Sequence, residues 1–492
     1  MERAHGALAR LCADDDEKRE AEAMRRQLAT GAAVLGGAAL IRWALAKTSP
    51  GRDAKVPHAR QSEQAYRAAE HRVLILGAGF GGLSTALELD RQLRRAGRKD
   101  VSTLVIDRDN SQVFTPLLWL VANGRANPSN VVVPIRAFQW GRSFHLLQAN
   151  VESIDLERRE VKTNAGVRPF DTLVIALGSI TAIPKLPGLA EHARVFRTAT
   201  DALELRNHLI DAIETAHRTD DPAERQAWLT FVIGGGGDTG IELAATVHEY
   251  LHYGLFAEYP WLEDDTPRVI VVGRADRLVP LSSEQTSAEV KRILETEGIE
   301  VMTGVAITGA TADAVQTSQG DIRTHTFFWA AGIAAPAIVR DIAVPHARNG
   351  AILVDKHLRV SGHENVYVVG DAAWATDAAD NGVPPTAQAA EHEGAYIAQA
   401  IAAQLAGETS PPFEFKPRGH LALLGRGTGV AQIGKYNITG FPAWFLWHGY
   451  YLTHIGTLRN RTRMIADLVL SALTGRETGQ LRIDPLESPE PS

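Results

Sequence analysis

At 492 residues, 45% of them hydrophobic, the chain is long enough for two or three separate cores. A formal net charge of -7 at pH 7 gives no general electrostatic reason to bind nucleic acid. The single cysteine, Cys12, excludes an intrachain redox disulfide and rules against cysteine-held zinc or iron–sulfur centres, so electron chemistry here needs a bound organic cofactor.

Residues 1–70 read as an N-terminal extension. A polar stretch leads into the apolar run Leu28 to Ile41, which is shorter than the roughly 20 residues a spanning helix needs. A surface or membrane-touching helix, a spanning anchor and a cleaved signal with Arg25-Arg26 ahead of it all remain open. Residues 47–70 are polar and read as a linker.

From His71 the texture changes to short Val/Ile/Leu strands alternating with longer mixed segments. Strands are predicted at 73–76, 103–106, 172–176, 230–233, 268–272 and 366–369, the pattern of an α/β fold with parallel sheets. The first carries Gly77-Ala78-Gly79-Phe80-Gly81-Gly82 at its end and a helix-forming stretch beyond it. Gly77 allows the sharp turn, Gly79 lets backbone approach a pyrophosphate, and Gly82 lets helix and sheet pack closely. Phosphates then face the free N–H groups of the helix start. Asp107, ending the next strand, is placed to bind the ribose hydroxyls.

A second such turn, Gly234-Gly235-Gly236-Gly237-Asp238-Thr239-Gly240, repeats these roles with Gly235, Gly237 and Gly240. The strand after it ends in Gly273-Arg274 instead of an acid. A missing carboxylate beside a guanidinium is what a 2′-phosphate requires, which opens NADPH as well as NADH; the plain alternative is a turn glycine and a solvated arginine. A late strand ending at Gly370-Asp371 returns to the first turn, where the carboxylate either bonds the polyol of a flavin or caps a helix.

These signatures predict two Rossmann-like dinucleotide-binding domains, with the NAD(P)H domain (201–345) inserted between the halves of an FAD domain (71–200 and 346–410). No compact set of His, Asp and Glu suggests a metal site among the 17 histidines.

Residues 411–492 carry a dense aromatic stretch, Phe441 to Leu452, then Arg459, Arg461 and Arg463, then an amphipathic run in which Ile465, Leu468, Val469, Ala472 and Leu473 share a face. Trp444, Trp447, Tyr450 and Tyr451 suit a headgroup region, so a monotopic attachment to a bilayer surface is expected, with a buried interface such as a homodimer as the rival.

Beyond the glycine turns, Asp107-Arg108-Asp109-Asn110, Phe114-Thr115-Pro116-Leu117-Leu118, Trp329-Ala330-Ala331-Gly332-Ile333, Pro384 to Ala390 and Trp444 to Leu452 together resemble the type II NADH dehydrogenases over about His71 to Gly475. That resemblance implies an FAD enzyme that oxidises NADH and reduces a membrane quinone without pumping protons, as a peripheral protein of the cytoplasmic face. It implies that Thr115 runs beside the flavin ring and that Glu242 lies in the flavin–nicotinamide contact region. It also implies that Gln388 lines the quinone channel in a segment whose second family glutamine is here His392, an imidazole able to donate a hydrogen bond or a proton. A soluble NAD(P)H-dependent reductase of a protein carrier and a non-catalytic flavin-binding redox sensor are the competing functions. Sulfide:quinone chemistry is disfavoured because it needs cysteines near the flavin.

Overall fold

The computed structural model describes residues 59–482, apart from Lys435. The Leu28 to Ile41 run lies outside the described residues. Ala59–Ala68, expected to be part of a linker, is instead a helix. Its Tyr66 is fully buried and donates to the carbonyl of Pro169 at 2.7 Å, which fastens it to the neighbouring sheet.

Two parallel sheets organise the chain. The first has the order Arg359–Val360, His363–Val368, Thr172–Ile175, His71–Leu76, Val101–Asp107, His145–Gln148, parallel except at the short Arg359–Val360 edge. The second orders Glu300–Thr303, Arg268–Gly273, Thr230–Gly234, Thr326–Trp329, all parallel. In sequence the whole second sheet falls between two adjacent strands of the first. Both are made of strands buried on both faces: Val73, Leu74, Ile75 and Leu76 are all inaccessible, as are Phe231, Val232 and Ile233. That explains why these strands read as continuous apolar runs with no alternation.

Helix Phe80–Arg95 follows the first glycine turn, and helix Ala387–Leu405 packs across it through two glycines. A Cβ on Gly394 would lie 2.4 Å from the carbonyl oxygen of Gly81, and one on Gly81 would strike Val369 at 2.6 Å. Only bare backbone fits at this crossing.

Beyond Ser410 comes a three-stranded antiparallel sheet that sequence reading missed: His420–Leu423, Gly429–Ile433 and Tyr436–Thr439. Helices Phe441–His454 and Leu458–Thr474 follow. The aromatic stretch divides differently from expectation. Trp447 is 1% exposed and Tyr451 largely buried, so these rings are packing; the rings and chains facing outward are Phe441, Phe445 and Leu446. Trp447 turns inward to Glu242 and also meets His448 and Tyr451 of its own helix edge-on.

Helix Leu458–Thr474 turns its polar side to the protein. Asp467 accepts from the Asn127 backbone N–H at 2.8 Å and from Asn130 Nδ2 at 2.6 Å, while buried Asn460 donates to the carbonyls of Asn130 and Val132. Ile465, Val469, Leu470 and Leu473 are left exposed on the opposite side. The chain then returns: Arg476 reaches Glu249, the Glu477 N–H donates to the Gly124 carbonyl, and Leu481 exchanges two hydrogen bonds with Asn207. Among the described residues no helix is long and apolar enough to cross a membrane.

Candidate functional site

The two glycine turns have nearly the same geometry. Gly77 has φ +97°, and a Cβ there would sit 2.3 Å from the Ala176 carbonyl oxygen. A Cβ on Gly82 would lie 1.9 Å from the Gly77 oxygen. In the second turn Gly235 has φ +139°, and a Cβ on Gly240 would lie 1.8 Å from the Gly235 oxygen. Gly79 and Gly237, the two positions expected to face pyrophosphate, have no atom within 4 Å of an added Cβ. The same three glycines in each turn therefore do three separable things.

The helices that follow begin without a side-chain cap, since Gly79 and Gly237 are their N-caps. Helices Ala199–His217, Glu284–Thr296, Ala387–Leu405 and Leu458–Thr474 are by contrast capped by Thr198, Ser283, Thr386 and Thr457. First-turn N–H groups left unsatisfied at an open cradle fit the phosphates of a dinucleotide at each turn.

Around the first turn, Asp107 accepts from the N–H groups of Ala78 and Asp109 at 2.6 and 2.9 Å, each oxygen keeping a free lone pair. Burial pushes its carboxyl above the usual range, partly offset by these two bonds. Asp371 accepts from Ser179 Oγ at 2.6 Å, and Arg197 donates to both the carbonyl and the hydroxyl oxygen of Ser179. Gly370, at φ +69°, donates its N–H to buried Glu393 at 2.5 Å. Burial holds Glu393 up at about 8. Sequence reading missed Glu393, which nothing in the local run Glu391-His392-Glu393-Gly394 distinguishes from a solvated acid. Thr115 opens a 3-10 turn and is exposed, next to buried Phe114, whose ring meets Phe80 and Tyr451 edge-on at 5.7 and 6.4 Å.

At the second turn, Arg274 is exposed and makes no ion pair among the described residues. Gly273 just before it is buried, yet a Cβ there would meet nothing closer than 3.6 Å. Glu242, one turn into the helix, retains some surface but is surrounded densely enough that burial pushes it up to about 8. Its carboxylate accepts from the Leu423 N–H at 3.0 Å, and the Trp447 indole lies close enough to favour its charged form. Asp238, one turn earlier, pairs with His420 at 2.8 Å. The antiparallel sheet that sequence reading overlooked thus touches the second helix at both of its carboxylates.

Gln388 and His392 lie one turn apart on helix Ala387–Leu405. Gln388 Oε1 accepts from the Arg418 N–H at 2.9 Å, and His392 meets Phe415 edge-on at 5.7 Å. Burial, with help from Arg418, lowers the His392 pKa below the ordinary imidazole value. The structure brings these two together; no hydrogen bond joins them to Glu242. Among the described residues no group of His, Cys, Asp and Glu could hold a metal ion.

Residues 71–394 match the family model described as pyridine nucleotide-disulphide oxidoreductase, and residues 418–477 match that of the NDH2 C-terminal domain. The chain is 31% identical over 441 residues to the type II NADH:quinone oxidoreductase Ndh of Mycobacterium tuberculosis, covering 86% of this chain and 92% of that protein. It is 30% identical to the demethylphylloquinone reductase NdbB of Synechocystis over 73% of this chain and 85% of that one. Among solved structures, NDH2 from Plasmodium falciparum in complex with NADH superposes with a TM-score of 0.75 at 20% identity, over 83% of this chain and 99% of that one.

The two backbone collisions separate the turns experimentally. Gly82→Ala is expected to yield protein without flavin, whereas Gly240→Ala should keep flavin and lose saturable binding of the reduced dinucleotide. Cofactor extraction and dinucleotide titration of the two purified variants check this, and loss of both ligands in both variants would contradict it.

Proposed function

The chain belongs to the type II NADH:quinone oxidoreductases, and from that premise we propose how its residues divide the work. It is an FAD-dependent NADH oxidoreductase that passes electrons toward quinone without pumping protons. The observation that carries the division of labour is the pair of uncapped helix starts behind Gly79 and Gly237, one on each parallel sheet. The first turn holds FAD with Gly77, Gly79, Gly82, Asp107, Gly370 and Asp371, and the second holds the nicotinamide dinucleotide with Gly235, Gly237 and Gly240. On this reading the dinucleotide domain is inserted in the FAD domain. Bound flavin supplies the hydride acceptor at N5, so the protein needs no nucleophile of its own.

The residues then position and exclude. Thr115 shapes the pocket beside the ring. Glu242, protonated below about 8, can hold a proton near the site of hydride transfer or bond the nicotinamide ribose. Gln388 and His392 present an amide and an imidazole toward the acceptor. Because burial lowers the His392 pKa, that ring is neutral at neutral pH and serves as a hydrogen-bond donor rather than a stored proton. The Gly273-Arg274 pair supports tolerance of NADPH, since nothing acidic repels a 2′-phosphate and an unpaired guanidinium stands beside it.

A lipid-soluble acceptor requires access from a membrane. The outward face of Ile465, Val469, Leu470 and Leu473, with Phe441, Phe445 and Leu446 on the preceding helix, supports attachment to a bilayer surface. Arg459 and Arg463 are exposed nearby, while Arg461 is turned inward to the Ile455 carbonyl. Each apolar side chain removed from water contributes about 1.5–3 kcal/mol, so several acting together outweigh the arginine attraction. A homodimer burying the same face is the reading this must beat.

Three outcomes are expected. Gln388→Leu or His392→Leu should slow quinone reduction at least several-fold while anaerobic stopped-flow reduction of flavin by NADH stays near wild type; equal losses in both half-reactions would remove these residues from the acceptor side. Gly273→Glu should shift the ratio of kcat/KM toward NADH over NADPH by roughly tenfold or more, and an unmoved ratio would rule this loop out as the selector. Leu470→Glu with Leu473→Glu should release flavin-loaded enzyme from liposomes and depress turnover with a long-tailed quinone more than with a short one. Co-sedimentation unchanged by the pair, with a changed oligomeric state in detergent-free solution, would favour the dimer.

A further inference from the structure

Asp238 occupies an unusual place. It immediately follows Gly237 at the first helical position, beside the open cradle where a pyrophosphate settles on the reading above. A carboxylate in the first turn is favourable for the empty helix. With a doubly charged pyrophosphate on the same N–H groups it becomes a like-charge neighbour. The structure supplies a counter-charge from elsewhere in the chain: His420, the first residue of the C-terminal sheet, lies with Nε2 2.8 Å from Asp238 Oδ1.

The imidazole is well held. Three residues along the same strand, the Leu423 N–H bonds Glu242, so one strand grips two carboxylates a helical turn apart. Nδ1 of His420 is buried with no partner, leaving the ring committed to Asp238. The charged and titratable groups facing it are Asp238 and Glu242 on the helix. From helix Phe441–His454, Tyr451 lies against both carboxylates, its phenol held protonated by burial. The cross-strand neighbour Gln432 is uncharged. Bonding to Asp238 raises the His420 pKa above the ordinary imidazole value, against the effect of burial.

We propose that His420 is a positioning residue for dinucleotide binding: its cation draws the Asp238 carboxylate toward the C-terminal sheet and cancels its charge beside the pyrophosphate, so dinucleotide affinity falls as His420 loses its proton. The sign follows from the direction of the shift. A raised pKa lets the cation persist to higher pH than an ordinary imidazole would, and the compensation is lost as pH rises through the raised value. This deepens the assignment of the second turn to the nicotinamide dinucleotide and rests on it.

The test is a double-mutant cycle in the full-length, flavin-loaded enzyme. Two readouts are taken across neutral to alkaline pH: calorimetric binding of NAD+ and the apparent Kd for NADH from anaerobic flavin reduction. Wild type should weaken with rising pH. His420→Gln should be weaker at low pH by about threefold to tenfold and lack that step, the size being limited by the partial exposure of Asp238. Asp238→Asn and the double variant should coincide, without the step and at least as tight as wild type at low pH. Glu242, pushed up to about 8 and interacting with both Asp238 and His420, titrates in the same range, so all four proteins are compared in a Glu242→Gln background, where that titration is absent. If His420→Gln loses flavin, Asp238→Asn against wild type still decides, through presence or absence of the step. A double variant as weak as His420→Gln, or an unchanged step in Asp238→Asn, would overturn the proposal. Gly237→Val separates the premise: unaltered affinity there would overturn the assignment of the second turn and the proposal with it, whereas lost binding there with a flat cycle overturns the proposal alone.

Discussion

The crossing of Gly81 and Gly394 is the contact on which the arrangement of the site depends. A hydrogen in place of a methyl at both positions lets helix Ala387–Leu405 lie directly on helix Phe80–Arg95, backbone to side-chain distance apart. Three things hang on that approach. It carries Glu393 under the Gly370 N–H, it stations Gln388 and His392 beside the segment that includes Arg418 and Phe415, and it lets Ser84 Oγ bond the Glu391 carbonyl across the interface. A methyl at Gly394 meets the Gly81 carbonyl and forces the helices apart, one at Gly81 strikes the Val369 side chain, and close-packed interiors do not absorb such changes without shifting what they support. The residues assigned to the acceptor are thereby indexed to the turn assigned to the flavin.

The C-terminal sheet performs the matching task for the second turn. Through Leu423 and His420 it meets Glu242 and Asp238, and through Trp447 and Tyr451 the next helix closes over the same two carboxylates. Burial therefore raises the Glu242 pKa, and the Leu423 N–H, His420 and Trp447, all more than a hundred positions away, offset it only in part, so neither effect is specified by the local sequence. Glu393 is a parallel case, with its partner Gly370 on another element. Buried carboxylates of this kind are costly unless bonded or protonated, and both are bonded.

Much of this was legible in the residues. Gly77, Gly82, Gly235 and Gly240 could be assigned because their roles are steric and local, and the parallel strands because they are apolar on both faces. The antiparallel sheet of 420–439 was not, since its strands are short and unevenly buried, with no residue of Tyr436–Thr439 buried, and the last two carry Gly, Gln or Asn. The helix Ala59–Ala68 was hidden by its polar composition, being anchored by buried Tyr66 and by the polar contacts of Glu63 with Arg168 and of Arg67 with the Val167 carbonyl. The aromatic helix was misjudged in a more instructive way. Composition showed that amphipathic rings were present, but Trp447 and Tyr451 face inward, where Glu242 and Phe114 lie, and Phe441 and Phe445 face outward. Ring identity does not reveal which side of a helix has neighbours.

Helix Leu458–Thr474 is pinned at Asn460 and Asp467 and then by the tail that bonds Gly124, Glu249 and Asn207. Its apolar face is consequently finished in the folded protein and need not be built upon contact. Any amphiphile that covers it recognises the native state and finds no equivalent in the unfolded chain. By mass action such a binder adds to folding free energy in proportion to the logarithm of its concentration, so heat resistance becomes a property of the protein together with its surroundings. The same rigidity dispenses with ordering entropy at docking, which leaves encounter and orientation as the main costs of association.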